Sequence, residues 1–402
     1  MQSAEHHPEP ISFGKYTLID RIAVGGMAEI FLARQAGLDG FEKTIVIKRI
    51  RPHLSKQGSF VRMFLNEGKL AAQLNHPNIV QIYDLGRIGE SYYIAMEYIF
   101  GRDMRRIIPK ADSLGIPFPM VYALKIASSV CEGLYYAHQK ADPYGNPLNI
   151  VHRDVTPENV FVSFDGTVKI LDFGIAKAAN QIVQTDAGEI KGKLSYMSPE
   201  QCRGMSLDCR SDLFSLGAVL FEWLTGFRLF TGDSEVAIIK SIIEAKIYAP
   251  SYFKADIPKP VEEILMRALE KDRERRYQTA WDMQYAIDQF LTHYEFTPSN
   301  IHISNFLKQL FEDELEEEQS RVARRIQATA PVRPAKSTPS DAPATAKESG
   351  EATAPTAQQD AVSVKFEDQD LRALTEIAEK RGVSIDALVR EIVSGWLKRG
   401  QS

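Results

Sequence analysis

The residues best suited to do chemistry lie in one stretch, Ile150–Gly174, which reads IVHRDVTPENVFVSFDGTVKILDFG. Asp154 is followed five positions later by Asn159 and, thirteen positions after that, by Asp172. A carboxylate can accept the proton of a hydroxyl group, and carboxylate and amide oxygens are the ligands that magnesium prefers. These residue types at this spacing are the equipment of phosphoryl transfer from a nucleotide to a protein side chain.

Two regions of different pattern must position these residues, which predicts an α+β chain with two lobes. Between Tyr16 and Ile50 the apolar residues alternate as in three strands, and residues 60–74 have helical periodicity. From about Pro119 the pattern is mostly helical, with amphipathic stretches at 119–139, 210–225, 233–245, 259–270 and 280–292. We therefore expect a small β-rich lobe followed by a larger helical lobe.

Composition narrows the class of protein. The chain has 402 residues, too many for one ordinary core, and its net charge of −5 gives no general attraction to nucleic acid. Three cysteines, at 131, 202 and 209, indicate a reducing compartment rather than a disulfide framework. No apolar run approaches the ~20 residues that span a bilayer, and the first ten residues lack the pattern of a signal peptide. We expect a cytoplasmic protein without a membrane anchor.

Residues 14–292 resemble the eukaryotic-type (Hanks-type) serine/threonine protein kinases of bacteria. The resemblance depends on several motifs in the expected order, since a lone Asp-Phe-Gly occurs by chance. It implies the bilobal kinase fold, ATP as the phosphoryl donor, and Mg²⁺ as the metal, with Mn²⁺ as an alternative. Glu200, in Ser-Pro-Glu, and Asp212 stand at structural positions of the family, and Arg276 would be the ion-pair partner of Glu200.

The resemblance also implies roles for individual residues of the site. Lys48 would neutralise the α- and β-phosphates and would be held by an ion pair with Glu67. Asp172 and Asn159 would bind the metal, and Asp154 would accept the proton of the substrate hydroxyl.

The surroundings of the nucleotide follow from the same resemblance. Met96 would precede the hinge, residues 97–99, whose backbone hydrogen-bonds adenine, and Asp103 would face the ribose. The other residues expected around the nucleotide are Ala23, Val24, Gly25, Gly26, Met27, Ala28, Ile30, Val46, Glu97 and Ile99.

The glycine-rich loop departs from the family pattern, because Ala23, Gly25 and Ala28 stand where the family has three glycines. Each alanine restricts the backbone, so we expect a modest loss of nucleotide affinity. Val46 replaces the usual alanine and would narrow the roof over adenine.

A second departure concerns a lysine and a threonine. The family usually has Lys two positions after the catalytic Asp and Thr in a later Gly-Thr step, whereas this chain has Thr156 and Lys193. We interpret this as an exchange, in which Lys193 reaches back over Thr156 and supplies the ammonium group. An inert, exposed Lys193 beside an impaired site is the alternative.

A third departure concerns control of activity. In the family, the residue at Arg153 grips a phosphorylated side chain of the activation segment, and Glu189 stands at the primary phosphosite. A carboxylate carries one negative charge where phosphate carries up to ~2, so we expect partial activity without phosphorylation. Thr185 is a further candidate phosphosite. Glu158, before Asn159, often favours basic residues upstream of the target hydroxyl.

Outside the kinase-like region, composition divides the chain. We expect residues 1–13 to be disordered, 293–327 to form a helical extension with a solvated acidic helix at 312–318, and 328–360 to be a disordered linker. Residues 361–402 have a strand–helix–helix pattern that resembles the ribbon-helix-helix family. A unit this small needs a partner to build a core, so the resemblance implies a homodimer. Seven Lys/Arg balance seven Asp/Glu there, which favours dimerisation over DNA binding.

Three functions compete. The favoured one is a dimeric serine/threonine kinase acting on protein substrates, in which dimerisation promotes autophosphorylation by raising the local concentration. A pseudokinase scaffold is suggested by the altered glycine loop and by Thr156, and a DNA-bound regulator with an attached kinase by the C-terminal segment. A small-molecule kinase is disfavoured, because residues 175–200 have the length of an activation segment for protein substrates.

Overall fold

The structure, a computed structural model, describes residues 10–38, 41–173, 192–244, 246–294, 296–317 and 320. A β-rich N-terminal lobe precedes a largely helical C-terminal lobe, as the sequence predicts. Among these residues no helix is both long and apolar enough to cross a lipid bilayer.

The N-terminal lobe is built on a six-stranded antiparallel sheet with the strand order β1-β2-β3-β4-β6-β5. Its strands are β1 (Ile11–Phe13), β2 (Tyr16–Val24), β3 (Ala28–Ala36), β4 (Glu42–Ile50), β5 (Ile82–Ile88) and β6 (Ser91–Glu97). Helix α1 (Gly58–Ala71) packs on this sheet and ends three residues before the predicted boundary. The three strands expected between residues 16 and 50 are β2, β3 and β4.

The sheet has a separate apolar core on each face. Val46 packs with Phe64 of α1 on one face, whereas Ile45 and Ile47 belong to the core on the other. Strand β4 is therefore buried on both faces, which is why its apolar residues form a continuous run. The next residue on this rigid strand is Lys48.

The C-terminal lobe consists mainly of helices around a buried centre. Its helices are α2 (Met104–Ser113), α3 (Met120–His138), α4 (Pro199–Cys202), α5 (Cys209–Thr225), α6 (Glu235–Glu244), α7 (Lys259–Ala268), α8 (Ala280–His293) and α9 (Asn300–Leu310). A small antiparallel sheet contains β7 (Gly101–Asp103), β8 (Val160–Ser163) and β9 (Val168–Ile170). The five predicted helical stretches correspond to α3, α5, α6, α7 and α8, with ends within two residues.

A buried ion pair ties α4 to the centre of this lobe. The guanidinium of Arg276 donates from Nη1 to Glu200 Oε1 at 2.6 Å and from Nη2 to Oε2 at 2.9 Å. The hydroxyl of Ser211 donates to the same Oε1 at 2.7 Å. The pair expected from the family resemblance is therefore present. Burial alone would raise the pKa of Glu200, but the bonds from Arg276 outweigh burial and lower it.

Residues 296–317 of the helical extension complete the core of the same lobe. Ile303 and Leu307 of α9 are buried with the other core residues, and Ser304 donates a hydrogen bond to the carbonyl of Phe164 at 2.7 Å. Gly166 has a φ of +86°, and an added Cβ there would lie 1.9 Å from the Asn300 carbonyl oxygen. The start of α9 therefore sits directly on the turn between β8 and β9.

The acidic residues at 312–317 continue the extension as a helix. Most of them face solvent, as the sequence predicts, but Glu314 points to α2 and the strand before it. Its carboxylate lies 2.9 Å from Lys110 Nζ and 3.4 Å from Arg102 Nη2. Burial alone would raise the pKa of Glu314, but Lys110 and Arg102 lower it. The acidic helix is thus joined to the lobe rather than only solvated.

Removing the charge of Glu200 should destabilise the fold in a pH-dependent way. Glu200→Gln leaves the Arg276 guanidinium buried without a counter-charge, so we expect a loss of about 3–5 kcal/mol at pH 7. In the wild type this stabilisation is present above the ordinary glutamate pKa of 4.5 and is lost as pH falls through the lower folded-state pKa. Urea denaturation from pH 7 down to pH 3 measures it.

The exposed Glu263 of α7 provides the matched control, and Glu263→Gln should change stability by no more than about 0.5 kcal/mol. The gap between wild type and Glu200→Gln should narrow as pH falls, because protonation makes the two side chains alike. A gap that stays constant over this range would contradict the assigned ion pair.

The helical extension should contribute to stability through its buried face. Leu307 is 1% exposed and Ile301 of the same helix is 69% exposed. Leu307→Ala should cost about 2–5 kcal/mol, because it leaves a cavity in the core, whereas Ile301→Ala should be nearly neutral. Denaturant midpoints of the two variants test this, and equal losses would show that α9 does not dock as described.

Candidate active site

Lys48 joins three elements of the structure. It lies on β4, and its Nζ is 2.9 Å from Glu67 Oε1 on α1 and 2.7 Å from Asp172 Oδ1 after β9. Burial alone would lower the pKa of this ammonium, but the attraction of Asp172 and Glu67 outweighs burial and raises it. Lys48 is therefore a fixed positive charge in the cleft, suited to bind phosphate.

The carboxylates around Lys48 outnumber it. Burial raises the pKa of Glu67, Lys48 opposes the rise, and the negative charges of Asp172 and Asp154 add to it. The one ammonium group of Lys48 thus faces several carboxylates within the cleft. The surplus negative charge favours the binding of a further cation, as a metal-dependent site requires.

The loop that carries Asp154 is held in place by hydrogen bonds to Asp212 of α5. The buried Asp212 carboxylate accepts hydrogen bonds from the backbone N–H groups of His152 and Arg153, each at 2.8 Å. It also lies 2.8 Å from Nε2 of His138, at the end of α3. Arg153 has a φ of +67°, a left-handed conformation that is strained for arginine, and the bonds from its neighbours maintain it.

The His152 ring sets the position of Asp154. Its Nδ1 accepts from the backbone N–H of Asp154 at 3.2 Å, and its Nε2 donates to the carbonyl of Leu171 at 2.9 Å. Burial lowers the pKa of His152, which agrees with a neutral ring that carries its proton on Nε2. The ring therefore connects the two loops that hold Asp154 and Asp172.

Asn159 and Asp172 offer oxygen atoms for a divalent cation. The amide nitrogen of Asn159 donates to the Asp154 carbonyl at 2.8 Å and to its Oδ2 at 3.0 Å, which leaves the amide oxygen to bind a cation. A backbone bond from Leu171 N to Asn159 O, at 2.9 Å, holds Asn159 beside Asp172. The Asp172 side chain is half exposed.

This donor set fits Mg²⁺ bound together with a nucleotide. In the part of the chain that the structure describes, no group of three His, Cys, Asp or Glu side chains is arranged to hold a metal. Magnesium is usually held by one or two protein oxygens, substrate phosphates and water. Asn159 and Asp172 would therefore hold it through hard oxygen ligands that suit it.

The sheet brings the expected nucleotide-binding residues to the roof of the cleft. Ile30 pairs with Lys48 across β3 and β4, and Val46 pairs with Met96 across β4 and β6. Ile30, Val46 and Met96, with Met27 and Ile99, pack in or against the core on the α1 side of the sheet. In the turn between β2 and β3, Gly25 N donates to Ala28 O at 2.8 Å. Gly26 lies in this turn, and Ala23 and Val24 are the last residues of β2.

The hinge is held in place by the Glu97 side chain. Its Oε1 accepts from Lys169 Nζ and from the backbone N–H of Gln81, each at 2.7 Å. The sequence pattern does not reveal the role of Lys169, since one lysine in a strand carries no signal of its partner. Asp103 accepts from the backbone N–H of Arg106 at 3.1 Å and so caps α2, and burial raises the pKa of its carboxyl group. Its contact with ribose stays a prediction.

The Thr156 side chain is buried, whereas Lys193 is paired with a nearby acid. Thr156 is 2% exposed, and its hydroxyl has no hydrogen-bond partner among the described residues. Lys193 Nζ lies 3.3 Å from Glu158 Oε2, two positions along the chain from Thr156. The same carboxylate accepts from Arg105 of α2, a contact that sequence analysis missed. The exchange of lysine and threonine roles stays a prediction, as do Thr185 and Glu189, which lie outside the described residues.

The structure has two lobes joined at a hinge. The cleft contains the loop that carries Asp154, which we call the acid loop, and the Lys48–Glu67 pair. Together these features define a protein kinase. The sequence profile of the protein kinase domain matches residues 16–293. The match covers well over half of the chain, and the chain therefore belongs to the protein kinase family.

Known relatives are bacterial kinases. The tyrosine-protein kinase MasK of Myxococcus xanthus is 41% identical over 318 residues, which are 79% of this chain and 49% of MasK. The serine/threonine-protein kinase PrkC of Bacillus subtilis is 36% identical over 271 residues, 67% of this chain and 40% of PrkC. The serine/threonine-protein kinase PknB of Mycobacterium leprae is 38% identical over 275 residues, which are 67% of this chain and 42% of PknB. The chain spans about half or less of the length of these relatives.

Solved structures agree on the fold. The crystal structure of the Mycobacterium tuberculosis PknI kinase domain aligns with a TM-score of 0.52 at 25% identity. The alignment covers 69% of this chain and 96% of that domain.

Proposed function

We propose that the chain is an active serine/threonine protein kinase that transfers the γ-phosphate of ATP to protein hydroxyl groups. The observation that carries this proposal is the joint placement of Lys48, Glu67 and Asp172 in one ion-pair cluster. Asp154 and Asn159 are bonded to each other on the loop beside it. The match to bacterial serine/threonine kinases supports the same conclusion.

In this proposal Asp154 accepts the proton of the substrate hydroxyl, and Lys48 binds the α- and β-phosphates. Asn159 and Asp172 bind Mg²⁺, with Mn²⁺ as an alternative, and the metal neutralises charge on the phosphates. Glu67 keeps Lys48 directed into the cleft. A pseudokinase scaffold would not require Lys48, Glu67, Asp154, Asn159 and Asp172 together. We therefore rank it second, after the active kinase.

Tyrosine is a second candidate acceptor. The relative of 41% identity is named a tyrosine-protein kinase, and Thr156 stands where serine/threonine kinases of the family usually have Lys. Phosphoamino-acid analysis of the labelled product separates the two.

Other parts of the proposal concern dimerisation, control of activity and cellular compartment. We propose that residues 361–402 form a homodimer that promotes autophosphorylation in trans, rather than a DNA-binding unit. We propose that Arg153 responds to the activation segment through Glu189 or phosphorylated Thr185. The three cysteines are free thiols, which supports a reducing compartment such as the cytoplasm.

Label transfer from γ-labelled ATP, with magnesium and then with manganese, tests the proposed activity. Wild type should label itself or a general protein substrate, whereas Asp172→Ala should lose at least about 100-fold of the rate, because a metal ligand is removed. Asp112→Ala, an exposed aspartate on α2, is the matched control and should stay active. Bound nucleotide without label on wild type would overturn the activity and favour the pseudokinase.

The exchange of Lys193 and Thr156 has its own test. We expect Lys193→Met to reduce transfer by at least about 10-fold, because under the proposed exchange it removes the ammonium group that contacts the transferred phosphate, and Lys193→Arg to keep most of the activity. The double variant Thr156→Lys, Lys193→Thr restores the family arrangement and should regain activity. Wild-type rates for Lys193→Met would refute the exchange.

A further inference from the structure

Glu158 borders the place where a substrate hydroxyl must meet Asp154. It lies directly before Asn159, whose amide group is bonded to the Asp154 carboxylate. The Glu158 carboxylate is held on both sides by cations of its own chain. Arg105 Nη1 donates to Oε1, and Lys193 Nζ lies 3.3 Å from Oε2. A basic substrate residue would have to displace one of these cations to reach Glu158.

A second group of charges adjoins the first. The Tyr196 hydroxyl donates to Glu222 Oε2 at 2.6 Å, and Arg228 Nε lies 3.6 Å from Glu222 Oε1. Burial raises the pKa of Tyr196, and the negative charges of Glu222 and Glu158 contribute to the rise. The two acids therefore lie near one tyrosine and face three cations, Arg105, Lys193 and Arg228.

The balance of charge sets which substrates fit. Glu158 and Glu222 each already have cationic partners within the chain. A basic substrate residue thus competes with internal cations, whereas an acidic residue finds cations that are only partly neutralised. Arg105 and Arg228 are substantially exposed, so a substrate carboxylate can reach them from solvent.

The chain's own candidate acceptor has the matching pattern. The sequence around Thr185 reads NQIVQTDAGEI over residues 180–190. No lysine or arginine stands among the seven residues before Thr185, and Asp186 and Glu189 follow it. This observation comes from the sequence alone and is independent of the ion pairs around Glu158.

We propose that the Arg105–Glu158–Lys193 cluster makes this kinase select acceptor hydroxyls followed by acidic residues and not preceded by basic ones. The inference rests on the proposed kinase function and assigns its substrate class. Arg105 is the specificity-determining residue, because it lies on α2 and not on the loop that carries Asp154.

The test uses the full chain and three peptides. The first is residues 180–190, the second carries Asp186→Asn and Glu189→Gln, and the third carries Ile182→Arg and Val183→Arg. For wild type, we expect kcat/KM to fall about two- to fivefold on the neutralised peptide and not to rise on the basic peptide. Arg105→Ala frees Oε1 of Glu158 and should raise the ratio of kcat/KM for the basic peptide to that for the unmodified peptide by about two- to fivefold.

Two controls separate this from a general effect on α2. Arg105→Lys keeps the charge and should keep the wild-type order of peptides. Arg106→Ala removes the neighbouring exposed arginine, whose Nε lies 3.7 Å from Asp103, and should also keep that order. A wild type that prefers the basic peptide, or an Arg105→Ala variant with an unchanged order, would overturn the inference.

Failure of the proposed function is distinguishable from failure of the inference. If no peptide is phosphorylated, including versions with Tyr in place of Thr185, the kinase proposal fails. Fluorescence anisotropy of the same labelled peptides with saturating ATP and Mg²⁺ then decides the inference alone. The unmodified peptide should bind about two- to fivefold more tightly than the neutralised one at low salt. Equal affinities would overturn the assigned substrate class.

Discussion

The arrangement of the cleft depends on one buried ammonium group, that of Lys48. Strand β4, helix α1 and the segment after β9 all direct a polar side chain to this point, so the group fixes the distance between the two lobes. Such contacts are stronger in a partly buried site than in water. Because Glu67 and Asp172 together carry more charge than Lys48 can neutralise, the same cluster that closes the lobes also prepares the cleft for a metal–nucleotide complex.

Buried carboxylates also provide hydrogen-bond acceptors that the backbone of the C-terminal lobe needs. The loop around Asp154 is not regular secondary structure, so its N–H groups need partners that helices and sheets would otherwise provide. Asp212 supplies them from α5, a helix buried almost all round, and Glu200 does the same for the guanidinium of Arg276. The loop that carries Asp154 is thereby bonded to a helix in the buried centre of the C-terminal lobe.

Helix α2 connects the active site to the part of the chain beyond the kinase profile. Asp103 caps its start, Arg105 holds Glu158 beside the acid loop, and Lys110 binds Glu314 of the helical extension. The extension fills the core below β8 and contacts the helix whose side chain sets our proposed specificity. A change in how the extension packs can therefore reach the substrate side of the cleft through about two turns of one helix.

The sequence by itself determined strands β2 to β4, helices α1, α3 and α5 to α8 to within three residues, and the loop that carries Asp154. It did not predict strands β1 and β5 to β9 or helices α2 and α4. Periodicity reports which faces are buried, and Asp154 and Asn159 are too close in the chain to be separated by folding. The family resemblance added pairs such as Lys48 with Glu67. Only the tertiary structure decided that Arg105 binds Glu158, 53 residues away, and that Arg102 binds Glu314, 212 residues away. Long charged side chains have no periodic signal, and their partners are set only once the helices that carry them have packed.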